Sequence, residues 1–277
     1  DDYAGVNNIK VVNDNAGNAP VLVDSRIIDL LQYAKEQYVL TKGTLNIALG
    51  PVLKLWHDYR EAGTEDTENA ELPPMALLQE ENKHTNIDDL IIDASASTVY
   101  FRDPLMRLDV GAIAKGYATE QVAQYFEQQG VTNLLLSVGG NVRALGGKFE
   151  DSSDKVVPWK VGVKNPDLSS SETELLSVPA EDCSVVSSGI YERYYTVDGV
   201  QYHHIIDPET LMPATHYAQV TIVCRDSGLA DALSTAAFVL PRDEALAYIN
   251  AMDGVEACWV LKDGNQFYSD GFEALQK

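Results

Sequence analysis

The sequence predicts an α+β fold, with largely antiparallel sheets and packed helices. Two observations carry the prediction. Stretches with helical apolar spacing alternate with β-branched and aromatic runs, and Asp-Gly pairs at 198–199 and 263–264 join β-rich runs as tight hairpins, so hairpins dominate over strand–helix–strand units.

The elements follow in order. Apolar residues at Ile27, Ile28, Leu30, Leu31, Ala34 and Tyr38, with Gly43 beyond them, predict a helix over 24–40. A second helix is expected from Gly50-Pro51 to Arg60, with Val52, Leu55, Trp56 and Tyr59 on one face. The acidic segment 63–70 reads as a surface loop, and Pro73-Pro74 opens a short helix ending at Glu81. Segments 90–93 and 98–102 form a hairpin around Ala-Ser-Ala-Ser, and 113–129 is helical, closed by Gly130. Strands are expected at 134–138, 159–163 and 183–187, followed by the Asp198-Gly199 hairpin. Segment 219–224 reads as a strand, 228–239 and 243–252 as helices, and 258–262 with 266–268 as a last hairpin.

Composition narrows the function. The chain has 277 residues, 45% of them apolar, enough for a substantial core. Against 42 Asp+Glu stand 20 Lys+Arg, a net charge of −22. Such a surface repels phosphate backbones and anionic lipid heads, which argues against nucleic-acid binding. Any anionic ligand then needs a local positive device: a metal ion, a lysine or a helix N-terminus. Cys183, Cys224 and Cys258 are scattered and odd in number, without a CxxC pair, which speaks against a disulfide framework or a structural zinc. Cys224 and Cys258 lie in apolar runs and are expected as buried thiols. No segment approaches the ~20 apolar residues of a membrane helix.

Three stretches could carry chemistry. In ADALSTAAF, Asp231 and Thr235 fall four residues apart on one helical face with Ser234 beside them, hard oxygen donors suited to Mg²⁺. The plain alternative is an Asp offsetting unpaired amides in a first helical turn, with Thr facing the core. In LDVGAIAKGYATEQVAQYF, Gly111 and Gly116 flank Lys115 at a helix start, where a lysine and free amides make a phosphate site. It lacks the Walker spacing, and VGGNVRALGG does not match GxGxxG. Plain turn structure is the alternative there too. In YHHIIDPETLMP, strand alternation would turn His203 and His204 to opposite faces, so only one could serve a cleft as a base near neutral pH. No GxSxG elbow supports a Ser/His/Asp hydrolase.

Six ordered blocks, GTLNIALGPVLKLW, LDVGAIAKGYATEQVA, LSVGGNVRALG, VVSSGIYERYY, YHHIIDPETLMPA and VTIVCRDSGLADALSTAAFVL, give the chain a resemblance to the ApbE-type flavin transferases over nearly its whole length. The resemblance implies a single ApbE-like catalytic unit over 1–277, or two subdomains with the FAD site between them. It implies Mg²⁺-dependent transfer of FMN from FAD to a Thr or Ser hydroxyl of an acceptor protein, releasing AMP. An FAD pyrophosphatase and a non-catalytic flavin-binding protein are the alternatives. By the family pattern Asp109 and Lys115 contact the flavin nucleotide, and Ala112 offers its carbonyl to the metal. Asp231 and Thr235 are the Mg²⁺ ligands and Ser234 an FAD contact. Ile206 is a further FAD contact, His204 the base, and Thr44, Leu45 and Asn46 an FAD-binding turn. With Ile206 two positions beyond His204, both are expected on one face.

Two departures stand out. Asn46 occupies a place where many relatives have Asp, and Leu211 the glycine place of DP-x-TG-x-P, which is expected to alter the turn after His204. The family also carries a further strand and helix ahead of these blocks. The resemblance therefore implies a trimmed N-terminus, with Tyr3 as a remnant of the flavin pocket. It implies as partner an acceptor flavoprotein subunit of a membrane respiratory complex, and an extracytoplasmic, lipid-anchored location.

Overall fold

The computed structural model describes residues 5–150 and 155–275, so Tyr3 lies outside the described residues. The chain divides into two compact units, Asp1–Val110 with Arg193–Pro213, and Gly111–Glu192 with Ala214–Lys277.

The first unit opens with α1 (Ile9–Asp14), β1 (Val21–Leu22) and α2 (Ser25–Leu40), the last capped by Asp24, whose carboxylate accepts from Arg26 N. A 3₁₀ turn, Ile47–Leu49, leads into α3 (Gly50–Glu65), followed by α4 (Met75–Glu81). β2 (Leu90–Asp93) and β3 (Thr98–Phe101) make the expected hairpin, and β1 adds to β3 on its other side. The acidic loop expected over 63–70 begins later than read, because α3 continues to Glu65. Gly63 is buried on that last turn, so contact with the rest of the unit overrides its weak helix propensity.

The second unit contains α5 (Ala114–Gln128), β4 (Leu134–Val138), β5 (Asn141–Leu145), the short pair β6 (Lys148–Phe149) and β7 (Val156–Val157), the ribbon β8 (Trp159–Lys164) and β9 (Glu174–Ala180), and β10 (Ser184–Gly189). The chain then returns to the first unit for β11 (Tyr194–Val197) and β12 (Val200–His203). Asp198 and Gly199 between them both have positive φ, +50° and +77°, as a two-residue I′ turn requires. The second unit closes with β13 (Gln219–Cys224), α6 (Ser227–Val239), α7 (Arg242–Asn250), β14 (Glu256–Val260), β15 (Gln266–Tyr268) and α8 (Phe272–Leu275).

Its central sheet has six strands in the order β15-β14-β13-β10-β5-β4, every pairing antiparallel. β13 is buried along its whole length and reads as an apolar run, since both of its faces are covered. α6 packs on β10 and β13 and is buried almost all round, which suits its alanine-rich sequence. Cys224 and Cys258 are 4% and 0% exposed, and burial pushes both thiols up to about 12. They are inert core residues, as expected. The α+β class with antiparallel sheets is therefore the observed one. The sequence reading missed α1, β1, β5, β6, β7, β9 and α8, all short or lacking a clean alternation.

Candidate active site

The residues singled out above fall into two groups. Ala112, Lys115, Asp231, Ser234 and Thr235 lie in the second unit, and Thr44, Leu45, Asn46, Asp109, His204 and Ile206 in the first.

In the second unit, α5 starts at Ala114 behind Ile113, which offers no side-chain cap. The cap comes from the neighbouring helix instead. Asp231 on α6 accepts the Gly116 N–H through Oδ2 at 2.8 Å. The two helices meet closely at this point. A Cβ on Gly116 would lie 2.3 Å from Ser227 O and 2.4 Å from Asp231 Cβ, so only glycine fits without a shift. Asp231 is thus not serving its own helix's first turn. Burial raises its carboxyl above the ordinary range, an effect the Gly116 amide and the Lys115 charge oppose. This also corrects the expectation of free amides around Lys115: the Gly116 N–H is taken. Lys115 itself is exposed and donates from Nζ to Gly139 O at 3.1 Å.

Whether this group suits Mg²⁺ depends on its donors. Among the described residues no three His, Cys, Asp or Glu side chains cluster as a protein-only metal cage would require. Asp231 and, one turn along α6, Thr235 offer hard oxygen donors, as does the carbonyl of Ala112 in the turn ahead of α5. That suits an ion which keeps waters and takes substrate phosphate oxygens. Beside Gly116, Asn141 is fully buried and its Oδ1 has no hydrogen-bond partner, an atom that a bound water or ligand would satisfy. The residues fit hydrated Mg²⁺. Ser234 is different: it is 0% exposed, and its hydroxyl bonds Ser188 Oγ (2.7 Å) and the Asp231 carbonyl (2.9 Å). Through the second bond Ser234 holds Asp231's turn in place.

In the first unit, β12 ends at His203, so strand alternation stops before His204. His203 is buried, and its Nδ1 accepts from Ile205 N at 3.2 Å, a local role. His204 docks on the start of the hairpin: its backbone N–H donates to Arg193 O at 3.1 Å, and its Nδ1 lies 3.2 Å from the same oxygen. A carbonyl only accepts, so Nδ1 carries the proton and Nε2 keeps its lone pair. Burial, followed by the charges of His203, Arg193 and Arg60, lowers the ring to about 4, against the carbonyl's opposing pull. The ring is therefore a weaker base than the near-neutral one expected, but it is unprotonated at neutral pH. Ile206 is 6% exposed, pairs with Pro213 in an isolated antiparallel bridge and joins the core with Leu49, Val52 and Trp56. Its orientation comes from this core and not from a strand shared with His204.

The two departures have structural explanations. Leu211 has φ +60°, the left-handed conformation that a glycine adopts without strain. Its N–H donates to Asp207 O (2.8 Å), Trp56 Nε1 donates to its carbonyl (2.9 Å), and its side chain is buried in the same core. Asn46 caps the 3₁₀ turn through Oδ1, which accepts from Ala48 N at 2.9 Å, while Nδ2 donates to Thr85 O at 2.9 Å. An Asp could make the first bond but not the second. Leu45 is buried, Thr44 half-buried, and exposed Asp109 is held by its N–H to Ile47 O at 2.8 Å.

Sequence reasoning missed Glu120 and Arg143, a buried ion pair at 2.9 Å in which the same Glu120 oxygen also accepts the Ser227 N–H (2.9 Å) and so ties α5 to the start of α6. A polar or charged residue carries no sign of burial until the elements around it are stacked, and Asn141 on β5 was missed for that reason too.

Comparison with known proteins identifies the family. Residues 1–259 match the model of the ApbE family. The FAD:protein FMN transferase of Treponema pallidum is 35% identical over 260 residues, spanning 92% of this chain and 71% of that protein. The Klebsiella pneumoniae protein of the same name is 32% identical over 253 residues, 91% of this chain and 74% of that one. The crystal structure of the ApbE protein of Thermotoga maritima superposes with a TM-score of 0.81 at 33% identity, covering 97% of this chain and 83% of that one. With the family model covering all but the last residues, the chain belongs to the ApbE family.

Proposed function

We propose that this chain is an FAD:protein FMN transferase, moving FMN from FAD to a Thr or Ser hydroxyl of an acceptor flavoprotein and releasing AMP. The names of its relatives support the reaction. The observation that carries it is the His204 ring, tautomerically fixed by the Arg193 carbonyl and unprotonated at neutral pH. Nε2 takes the proton of the acceptor hydroxyl, whose oxygen forms a bond to the FMN-side phosphorus. The anhydride bond to the AMP phosphate breaks, and AMP leaves with the electron pair. Asp231, Thr235 and the Ala112 carbonyl would hold Mg²⁺, which when bound neutralises charge on the phosphate oxygens. Lys115 and Asp109 orient the nucleotide, and the 44–46 turn bounds the flavin. As acceptor we propose a flavoprotein subunit of a membrane respiratory complex, met outside the cytoplasm by a lipid-anchored enzyme, both on the family resemblance alone.

Incubating the protein with FAD, Mg²⁺ and such an acceptor should add one FMN mass to the acceptor and release AMP in equal amount. His204→Asn should abolish both. AMP and FMN without adduct would identify an FAD hydrolase, and absence of both products would end the reading.

A further inference from the structure

Buried side-chain amides are ordinarily hydrogen-bonded, because an unmet buried polar group destabilises a fold and an apolar residue of the same shape would not. Asn141 is 0% exposed, and among the described residues it alone leaves two buried side-chain polar atoms, Nδ2 and Oδ1, without a partner.

The sheet fixes its place. Asn141 opens β5 directly after Gly139 and Gly140, whose φ of +54° and +95° form the two-residue turn from β4. Its backbone is paired with Val138 on one side and Val186 on the other, so it cannot shift to carry the side chain to solvent. The side chain instead meets the joint between α5 and α6. The point where a Cβ on Gly116 would stand lies 3.0 Å from Asn141 Nδ2, 2.4 Å from Asp231 Cβ and 2.3 Å from the Ser227 carbonyl oxygen. The N–H of that glycine already donates to Asp231 Oδ2, and Lys115 Nζ reaches back to Gly139 O in the β4–β5 turn. Facing a carboxylate, an amide presents its NH₂ end, since its oxygen there would oppose a like charge. Burial raises the Asp231 carboxyl, and Asn141 is among the groups that draw it down, after the Gly116 amide and Lys115, although its amide completes no hydrogen bond.

We propose that Asn141 is a positioning residue for the metal site: with the ion bound, Nδ2 donates to the Asp231 carboxylate alongside the Gly116 N–H, and Oδ1 accepts from a water that enters with the ion. Two donors fix the plane of the carboxylate and leave its remaining lone pairs to the metal. Groups that orient a ligating side chain in this way govern metal affinity without touching the ion. The inference rests on the reading that Asp231 holds Mg²⁺.

Asn141→Leu keeps the branching of the side chain and removes both polar atoms. Without metal it should melt within about 4 °C of the wild type, because no hydrogen bond is lost. In a Mg²⁺ titration read by melting temperature, only the rise that Asp231→Asn abolishes is counted. The midpoint of that rise should move to about tenfold higher Mg²⁺ or beyond in Asn141→Leu. Asn141→Ala removes the same atoms with a smaller side chain and should move the midpoint equally, which covers a leucine that fails to pack. A merely structural Asn141 predicts the opposite pattern: a clear drop in the metal-free melting temperature with the wild-type Mg²⁺ midpoint. That result overturns the inference alone. A wild type with no Mg²⁺ response of the counted kind would remove the metal reading itself, and the inference with it.

Discussion

Leu211 sets two energies against each other, and its replacement tests the account of the turn. A left-handed backbone costs a residue with a Cβ about 1–2 kcal/mol. The Leu211 side chain is 4% exposed among Leu49, Val52, Trp56, Leu78, Tyr195, Val197 and Ile206, and truncating such a residue costs about 2–5 kcal/mol. Leu211→Ala keeps the strain and loses the packing, so it should destabilise by about 3 kcal/mol. Leu211→Gly loses the packing too but relieves the strain, less about 0.4–1 kcal/mol for the freer unfolded chain. The order expected is wild type, then glycine, then alanine, with glycine above alanine by up to about 1.6 kcal/mol. Urea denaturation followed by tryptophan fluorescence measures it, since Trp56 lies in the cluster and donates to the Leu211 carbonyl. If alanine proved more stable than glycine by the usual ~0.5–1 kcal/mol of an unstrained site, the left-handed assignment would be wrong. A glycine variant as stable as wild type would mean that the buried side chain contributes nothing.

Two further predictions concern the site groups. His204 titrates near 4 in the folded chain against 6.5 unfolded, so between those values the unfolded chain binds the proton first and stability falls as pH falls; above about 6.5 the residue has no effect. From about pH 7 to about pH 5 the wild type should lose about 2 kcal/mol more than His204→Gln, and parallel pH profiles in urea titrations would contradict the half-buried neutral ring. Gly116→Ala should push α5 from α6, lowering stability by about 1–3 kcal/mol and reducing the rise in melting temperature on adding Mg²⁺; an unchanged Mg²⁺ response would place the ion elsewhere.

The sequence by itself determined the class of fold and most element positions, because helical spacing, Asp-Gly turns and apolar runs are local signals that the packing reinforced. It also placed His204, Asp231 and Thr235 within recognisable blocks. It could not say what holds them. Asp231 as the cap of a different helix, the Gly116 amide lost to it, the His204 tautomer set by the Arg193 carbonyl, and the buried Glu120–Arg143 pair all join residues distant in the chain. Such partners exist only once the strands and helices are stacked. Leu211 makes the same point: its side chain suggested an altered turn, whereas the tertiary core buries it strongly enough to hold a left-handed backbone that local preference alone would refuse.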